Sequence, residues 1–200
     1  NDGSDGQAAV VRVKGTFEAI PFLRELVGAA LGMDIGMPGY CDYVLEPGSP
    51  TLQIRMGVIN TTDANLDLDN FELFGFFHYS RCQMLTERKG YDRPGGAVDW
   101  VGFDCGEWSF AVRSPNGTLG FGIEQNGMAL FVGPGLDVPP CTFVERGHAE
   151  ILSGGPYYDG LREVLREVDG EAAWRAIDGV VQDSEGRPLA DAYVHELDSD

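Results

Sequence analysis

A period-two alternation of apolar and polar residues runs through most of this sequence and constrains its fold more than any other feature. In TLQIRMGV (51–58) every second residue, starting with Leu52, is apolar, and EWSFAVR (107–113) and TLGFGIE (118–124) repeat the pattern. Successive side chains of a β-strand point to opposite faces, so each segment would bury one face and expose the other. Antiparallel sheets have this property. We therefore predict an all-β, two-layer antiparallel β-sandwich over about residues 8–158.

Shorter runs of the same kind extend the prediction along the chain. The Pro and Asn-Gly of SPNG (114–117) are typical of a tight turn, so the flanking segments 107–113 and 118–124 are predicted to pair as a hairpin. Further strands are predicted at Val10–Lys14, Tyr40–Glu46, Phe71–Tyr79, Ala97–Phe103, Met128–Val132 and Thr142–Arg146.

Two short segments have helical spacing instead. PFLRELVGAALG predicts a helix near residues 21–31, and DGLREVLREVDG predicts one near 159–169, with Asp159 as its N-cap and Gly170 at its end. The last stretch, IDGVVQDSEGRPLADAYVHELDSD (177–200), is predicted to form a C-terminal hairpin.

The charge of the chain restricts its partners. The net charge is −18, with 14 basic and 32 acidic residues, which argues against nucleic acid and anionic membrane surfaces. No apolar run approaches the ~20 residues of a membrane-spanning helix. Residues 1–7 are predicted to be a flexible leader, typical of a mature exported chain that is periplasmic, secreted or a cell-surface lipoprotein. An artificial cloning boundary is the alternative.

The four cysteines are Cys41, Cys82, Cys105 and Cys141. No CxxC pair exists, so a zinc knuckle and a thioredoxin-type motif are excluded, and three disulfide pairings are open. Cys82 and Cys105 could face each other on adjacent strands, which would leave Cys41 with Cys141. Four free thiols are the alternative.

Candidate ligand-binding residues are the aromatic and histidine side chains on predicted strands: His78, Tyr79, Trp100 and Trp108. Aromatic rings can stack on the apolar face of a sugar ring, although rings at alternating strand positions also serve as sandwich core.

No catalytic, metal-binding or cofactor-binding residue is assigned. The three histidines, His78, His148 and His195, are far apart in sequence, and no GxSxG, GxGxxG or Walker motif occurs. The acidic loop that starts at Asp63 has Leu68 and Phe74 where a calcium-binding EF-hand requires Gly and Glu.

Three segments resemble two known families. The spaced Gly179, Asp183, Gly186 and Pro188 of the C-terminal stretch resemble the opening of carboxypeptidase-regulatory-like domains, with Asp191 where that family usually has Gly. YVLEPGSPTLQIRMGVINTTDANLDLDNFELFG and VDWVGFDCGEWSFAV resemble stretches of galactose-mutarotase-like sandwiches. Along the chain, the mutarotase-like sandwich comes first and the regulatory-like stretch follows it. This arrangement is similar to that of the N-terminal region of exported CehA/McbA-type metallohydrolases, in which a metal-dependent hydrolase domain comes next.

The resemblance implies three parts and an accessory role. These are a leader (1–7), a mutarotase-like sandwich with its trailing helix (8–170), and the start of a regulatory-like sandwich (171–200) of a longer parent. The expected function is a non-catalytic accessory or binding module, with downstream domains of the same polypeptide as partners and carbohydrate as the candidate ligand. A sugar epimerase that uses His78 and a structural cell-surface spacer are the alternatives. A groove lined by Trp and carboxylates would favour the first two functions, and a flat polar face would favour the spacer.

Overall fold

The structure, a computed structural model, describes residues 2–17, 37–68, 73–77, 81–88, 90–91, 96–125, 128–173, 179–190 and 192. The elements within these ranges are β1 (Ala9–Phe17), β2 (Met37–Leu45), β3 (Thr51–Ile59), β4 (Leu66–Leu68), β5 (Leu73–Phe77), β6 (Gln83–Leu85), β7 (Ala97–Val98), β8 (Trp100–Asp104), β9 (Ser109–Arg113), β10 (Leu119–Gln125), β11 (Met128–Val132), β12 (Leu136–Val138), β13 (Phe143–Gly154) and α1 (Tyr157–Val168).

The strands form two packed antiparallel layers. A seven-stranded sheet has the order β1-β2-β3-β13-β9-β8-β6, and a four-stranded sheet has the order β5-β11-β10-β7. The core between them contains Phe103 and Val112 from the large sheet and Leu119 and Phe131 from the small one, all at most 1% exposed. The ribbon β4–β12 covers a second cluster, around Val58 and Val138. The predicted all-β sandwich is confirmed.

The predicted hairpin around residues 114–117 is wrong. β9 pairs with β8 and β13, whereas β10 pairs with β7 and β11, so the turn carries the chain from one sheet to the other. Alternation requires each strand to bury one face, but it does not choose the partner strand. The hairpin partner of β9 is β8, through the turn at 105–108, where the Cys105 amide donates to the Trp108 carbonyl at 3.0 Å.

The predicted helix near 159–169 is present as α1, but it begins earlier than expected. Its N-cap is Pro156, and Asp159 lies in the first turn, where its charge favours the helix N-terminus. Gly170 adopts a φ of 70° directly after the C-cap, as predicted. The helix predicted near 21–31 lies outside the described residues.

α1 lies on the outer face of the large sheet, away from the four-stranded sheet. Leu161 and Leu165 pack there with Trp100 and Leu152. Glycines permit this close approach: a Cβ on Gly160 would lie 2.5 Å from the carbonyl carbon of Gly155. The helix therefore covers the β8, β9 and β13 part of this face.

A disulfide joins Cys82 and Cys105, whose Cα atoms are 4.2 Å apart, next to the paired residues Gln83 and Asp104 of β6 and β8. The pairing of Cys41 with Cys141 is wrong, because both are free thiols. Cys41 lies on β2, and Cys141 precedes β13, two strand positions away in the sheet. That lateral separation alone is about 10 Å, beyond the ~7 Å limit between disulfide-bonded Cα atoms.

The described part of the C-terminal stretch, residues 179–190 and 192, contains a tight turn and one bridge between Gln182 and Pro188. The Leu189 amide donates to the Val181 carbonyl at 2.9 Å. Val180 is 71% exposed and Leu189 is 49% exposed. These residues therefore contribute little to the core described above.

Candidate functional site

The two sequence-predicted ligand residues that the structure describes, Trp100 and Trp108, do not form one platform. His78 and Tyr79 lie outside the described residues. Trp100 is only 7% exposed, on the outer face of the large sheet under α1. Trp108 is 56% exposed, and its ring stacks on Phe110, on the opposite side of the same sheet. The two tryptophans therefore belong to different surfaces.

Trp100 lines a cleft between α1 and the β8–β9 end of the large sheet. The volume of this cleft is about 430 Å³, within the ordinary range of small-molecule sites. Its lining residues are Glu87, Asp99, Trp100, Arg113, Arg162, Leu165, Arg166, Asp169 and Glu171. We call this feature the Trp100 cleft.

Arg162 fixes one wall of the Trp100 cleft. Its guanidinium lies 4.9 Å from the centre of the Trp100 ring and donates to the carbonyls of Thr86 at 2.9 Å and Arg88 at 2.5 Å. Its Nε also donates to the Tyr158 hydroxyl at 3.0 Å. Trp100 therefore offers the cleft a partly covered apolar wall rather than an open stacking face.

Arg113 fixes the opposite wall. It donates from Nε to Glu150 and from Nη1 to Asp169, each at 2.6 Å, so it joins β9 to β13 and to the end of α1. Burial lowers the pKa of Arg113, but the hydrogen bonds to Glu150 and Asp169 raise it by more. The guanidinium is therefore firmly charged.

The third arginine of the cleft, Arg166, donates to both carboxylate oxygens of Glu163, at 2.9 and 2.6 Å, and to the Glu171 carbonyl at 2.8 Å. Asp99 differs from these groups. Its side chain is exposed, and its carboxylate makes no hydrogen bond or ion pair with the described residues. The carboxylates of Asp99 and Glu171 are therefore acceptors that have no hydrogen-bond or ion-pair partner among the described residues.

The charges that line the Trp100 cleft nearly balance. Three arginines stand among the four carboxylates of Glu87, Asp99, Asp169 and Glu171, although the whole chain carries −18. A site of this kind favours neither a polyanion nor a polycation. It presents fixed donors and acceptors beside the apolar Leu165 and Trp100, which suits a small neutral ligand with many hydroxyl groups.

The described residues include one histidine, His148, and it lies outside the cleft. No cluster of three or more His, Cys, Asp or Glu side chains that could hold a metal occurs among the described residues. His148 lies at the irregularity between Gly147 and Ala149 in β13, and burial, with the nearby Arg146 charge, lowers its pKa to about 4. This histidine is therefore neutral at pH 7, and it does not line the cleft.

None of the helices in the described ranges has the length and apolar character to cross a membrane.

The sequence could not have located the cleft. Its residues come from four separate stretches, at 87, 99–100, 113 and 162–171, which only the tertiary structure brings together. Trp100 is a candidate because it is an aromatic residue on a predicted strand, whereas the arginines and Asp99 belong to no recognisable motif.

Comparison with known proteins identifies the fold. No protein-family model and no curated protein sequence matches this chain. Solved structures do match. One is the GH36 α-galactosidase AgaA from Geobacillus stearothermophilus, solved in complex with raffinose, with a TM-score of 0.53 and 10% identity over 82% of this chain and 26% of that one. Another is the α-galactosidase from Lactobacillus brevis, with a TM-score of 0.50 and 9% identity over 76% of this chain and 24% of that one.

At these identities the match shows the fold alone, an antiparallel β-sandwich that this chain shares with part of those two enzymes. This chain spans about a quarter of the length of the enzymes it matches.

Proposed function

We propose that this chain is a non-catalytic accessory β-sandwich of a larger exported protein, and that its Trp100 cleft binds a neutral saccharide. The observation that carries the proposal is the cleft itself, which combines a tryptophan, an available carboxylate and fixed arginines in about 430 Å³. A groove of this composition is the feature that favours a binding module over a flat structural spacer. The epimerase alternative depends on His78, outside the described residues, and no observation favours it.

The chemistry of the cleft matches that of a sugar. Hydroxyl groups both donate and accept hydrogen bonds, so they can donate to Asp99 and accept from the remaining N–H groups of the arginines. The C–H surface of a sugar ring would contact Leu165 and the accessible part of Trp100. Since the arginines are already held by protein partners, they need little ordering when a ligand binds.

The proposed organisation has a leader at 1–7, the sandwich with α1 at 8–170, and the start of a carboxypeptidase-regulatory-like sandwich at 171–200. A downstream domain of the same polypeptide, a metallohydrolase in the CehA/McbA-type arrangement, would be its covalent partner. The match to about a quarter of much longer enzyme chains supports an accessory role within a multidomain protein.

The test is a titration of isotope-labelled protein with galactose, glucose and raffinose, followed by amide NMR. We expect shifts in residues 99–100, 113 and 162–171, with dissociation constants in the millimolar range. Asp99→Ala should weaken binding about tenfold, equivalent to about 1.4 kcal/mol.

Two variants serve as controls. Asp137 is an exposed carboxylate on β12 that lies outside the cleft, so Asp137→Ala should bind like the wild type. Trp108→Ala should also bind normally, because Trp108 lies on the other face of the sheet. Loss of binding in Trp108→Ala with normal binding in Asp99→Ala would place the sugar elsewhere. The absence of any shift at millimolar sugar would refute the binding function.

A further inference from the structure

The large sheet ends at β1, and this edge strand is unusually open. Within the described residues, β1 pairs with β2 on one side only. All six residues from Val11 to Thr16 are exposed, with Val11 at 62% and Val13 at 54%. An edge strand of nine residues carries a row of backbone donors and acceptors that can pair with another strand.

One face of this edge is apolar. Val11 lies opposite Tyr43, and Ala9 lies opposite Leu45, in the register of β1 with β2. Tyr43 is 39% exposed and Leu45 is 45% exposed. Val11, Val13, Tyr43 and Leu45 therefore form a contiguous apolar patch, which we call the β1 patch.

The other face of β1 carries two basic residues, and Arg12 alone has an acidic partner among the described residues. Arg12 donates to both carboxylate oxygens of Asp42, at 2.6 and 2.5 Å, and its guanidinium lies 3.7 Å from the centre of the Tyr40 ring. Lys14 is exposed on the same face. β1 thus contains two basic residues and no acidic one, in a chain with a net charge of −18.

We infer that the β1 edge is a docking site for an extended segment of another protein in which apolar and acidic residues alternate. The backbone of such a segment would extend the large sheet by one strand. Its apolar side chains would lie beside the β1 patch, and a carboxylate would lie beside Lys14, where opposite charges on neighbouring strands stabilise pairing. This inference is independent of the saccharide cleft.

A second copy of this chain is the wrong occupant on charge grounds. Antiparallel pairing of two β1 strands would bring Arg12 and Lys14 of one copy close to the same residues of the other. Like charges in adjacent strands are destabilising. Exposed basic residues on an edge oppose self-pairing, but they do not oppose an acidic strand.

The test uses two synthetic nine-residue peptides in which valine or threonine alternates with glutamate in one and with lysine in the other. Binding to the full chain is measured by calorimetry and mapped by amide NMR. We expect the glutamate peptide to bind at least about tenfold more tightly than the lysine peptide. Its shifts and its protection from amide exchange should be confined to residues 9–17 and 37–45.

Variants of Lys14 separate the contribution of its charge to peptide binding from that of other contacts. Lys14→Glu should weaken the glutamate peptide about fivefold, because an attractive cross-strand pair becomes repulsive. Lys14→Gln should have a smaller effect, and Asp99→Ala should have none.

Three results would overturn the inference. They are equal binding of the two peptides, shifts at other strands or nowhere, and a concentration-dependent dimer by light scattering that involves the β1 edge. If sugar binding fails in its own test while the glutamate peptide binds, only the cleft proposal is lost.

Discussion

Replacement of Arg162 by methionine is expected to loosen α1 from the sandwich. Arg162 is the main polar connection between the helix and the 86–88 segment, through its hydrogen bonds to the carbonyls of Thr86 and Arg88 and its position beside Trp100. Methionine keeps an unbranched apolar stem against Trp100 and removes every donor. The substitution therefore isolates the guanidinium contribution.

The magnitude follows from these contacts. Hydrogen bonds from a charged donor contribute about 1.5–3 kcal/mol each, and the cation–π contact adds about 0.5–1 kcal/mol. Arg162 is only partly buried, so the freed carbonyls regain water and the low end of the range applies. We expect a loss of about 3 kcal/mol in the free energy of unfolding. With a urea slope of about 2 kcal/mol per molar, the midpoint should fall by about 1.5 M.

The assay is equilibrium urea unfolding, followed by tryptophan fluorescence and far-ultraviolet circular dichroism. Arg187→Met is the matched control, because Arg187 is 70% exposed and pairs with Asp183 at 2.8 Å on the surface. Its loss should be under about 1 kcal/mol. Arg162→Lys should be intermediate, since lysine keeps the charge but lacks the planar fork. If Arg162→Met unfolds at the same midpoint as Arg187→Met, apolar packing alone holds α1 and the argument fails.

Three further predictions concern stability. The double variant Cys82→Ser with Cys105→Ser should lose about 3 kcal/mol in the free energy of unfolding, because the disulfide closes a loop across a sequence separation of 23. Wild type unfolded with and without reductant should show the same difference. Gly160→Ala should destabilise the fold by about 1–3 kcal/mol, despite the better helix propensity of alanine, because the added Cβ meets the Gly155 backbone. Gly179 has open space around it, so Gly179→Ala should leave the thermal unfolding midpoint unchanged. The lowered pKa of His148, about 4 against an ordinary 6.5, means that the unfolded chain takes up a proton first as the pH falls. Stability from this group is complete above pH 6.5 and is lost between pH 6.5 and 4, by up to about 3 kcal/mol. A His148→Gln variant with the same decline in melting temperature over that window would contradict the assignment.

The sequence predicted the strands well and their neighbours poorly, for a physical reason. The alternation of apolar and polar residues indicates which side chains are buried, and it correctly predicts the strands at 109–113 and 119–125. It carries no information on whether the turn between them stays in one sheet or crosses to the other. The cysteines show the same limit. Adjacent strands brought Cys82 to Cys105, whereas pairing the remaining two by elimination ignored the distance across the sheet.

The helix α1 was predictable because its signal is local. Leu161 and Leu165 are spaced to face one side, and Gly170 stops the helix. The contribution of the helix to the Trp100 cleft was not predictable. The cleft depends on contacts that Arg113 and Arg162 make with groups 37 to 76 residues away in sequence. No periodicity encodes such contacts.

Several residues that hold α1 on the sheet also line the Trp100 cleft, among them Arg113, Arg162 and Leu165. The proposed sugar binding would therefore be coupled to the stability of this region. A ligand that binds only the folded cleft stabilises the chain by about 2.7 kcal/mol at a hundredfold excess over its dissociation constant. That nearly offsets the expected loss from removing the disulfide, which does not line the cleft. Saturating sugar should therefore return the unfolding midpoint of Cys82→Ser with Cys105→Ser close to the wild-type value. If the arginines serve only to clamp the helix, sugar will raise the unfolding midpoints of wild type and variant no more than an equal concentration of a sugar that does not bind, while Arg162→Met will still destabilise the fold.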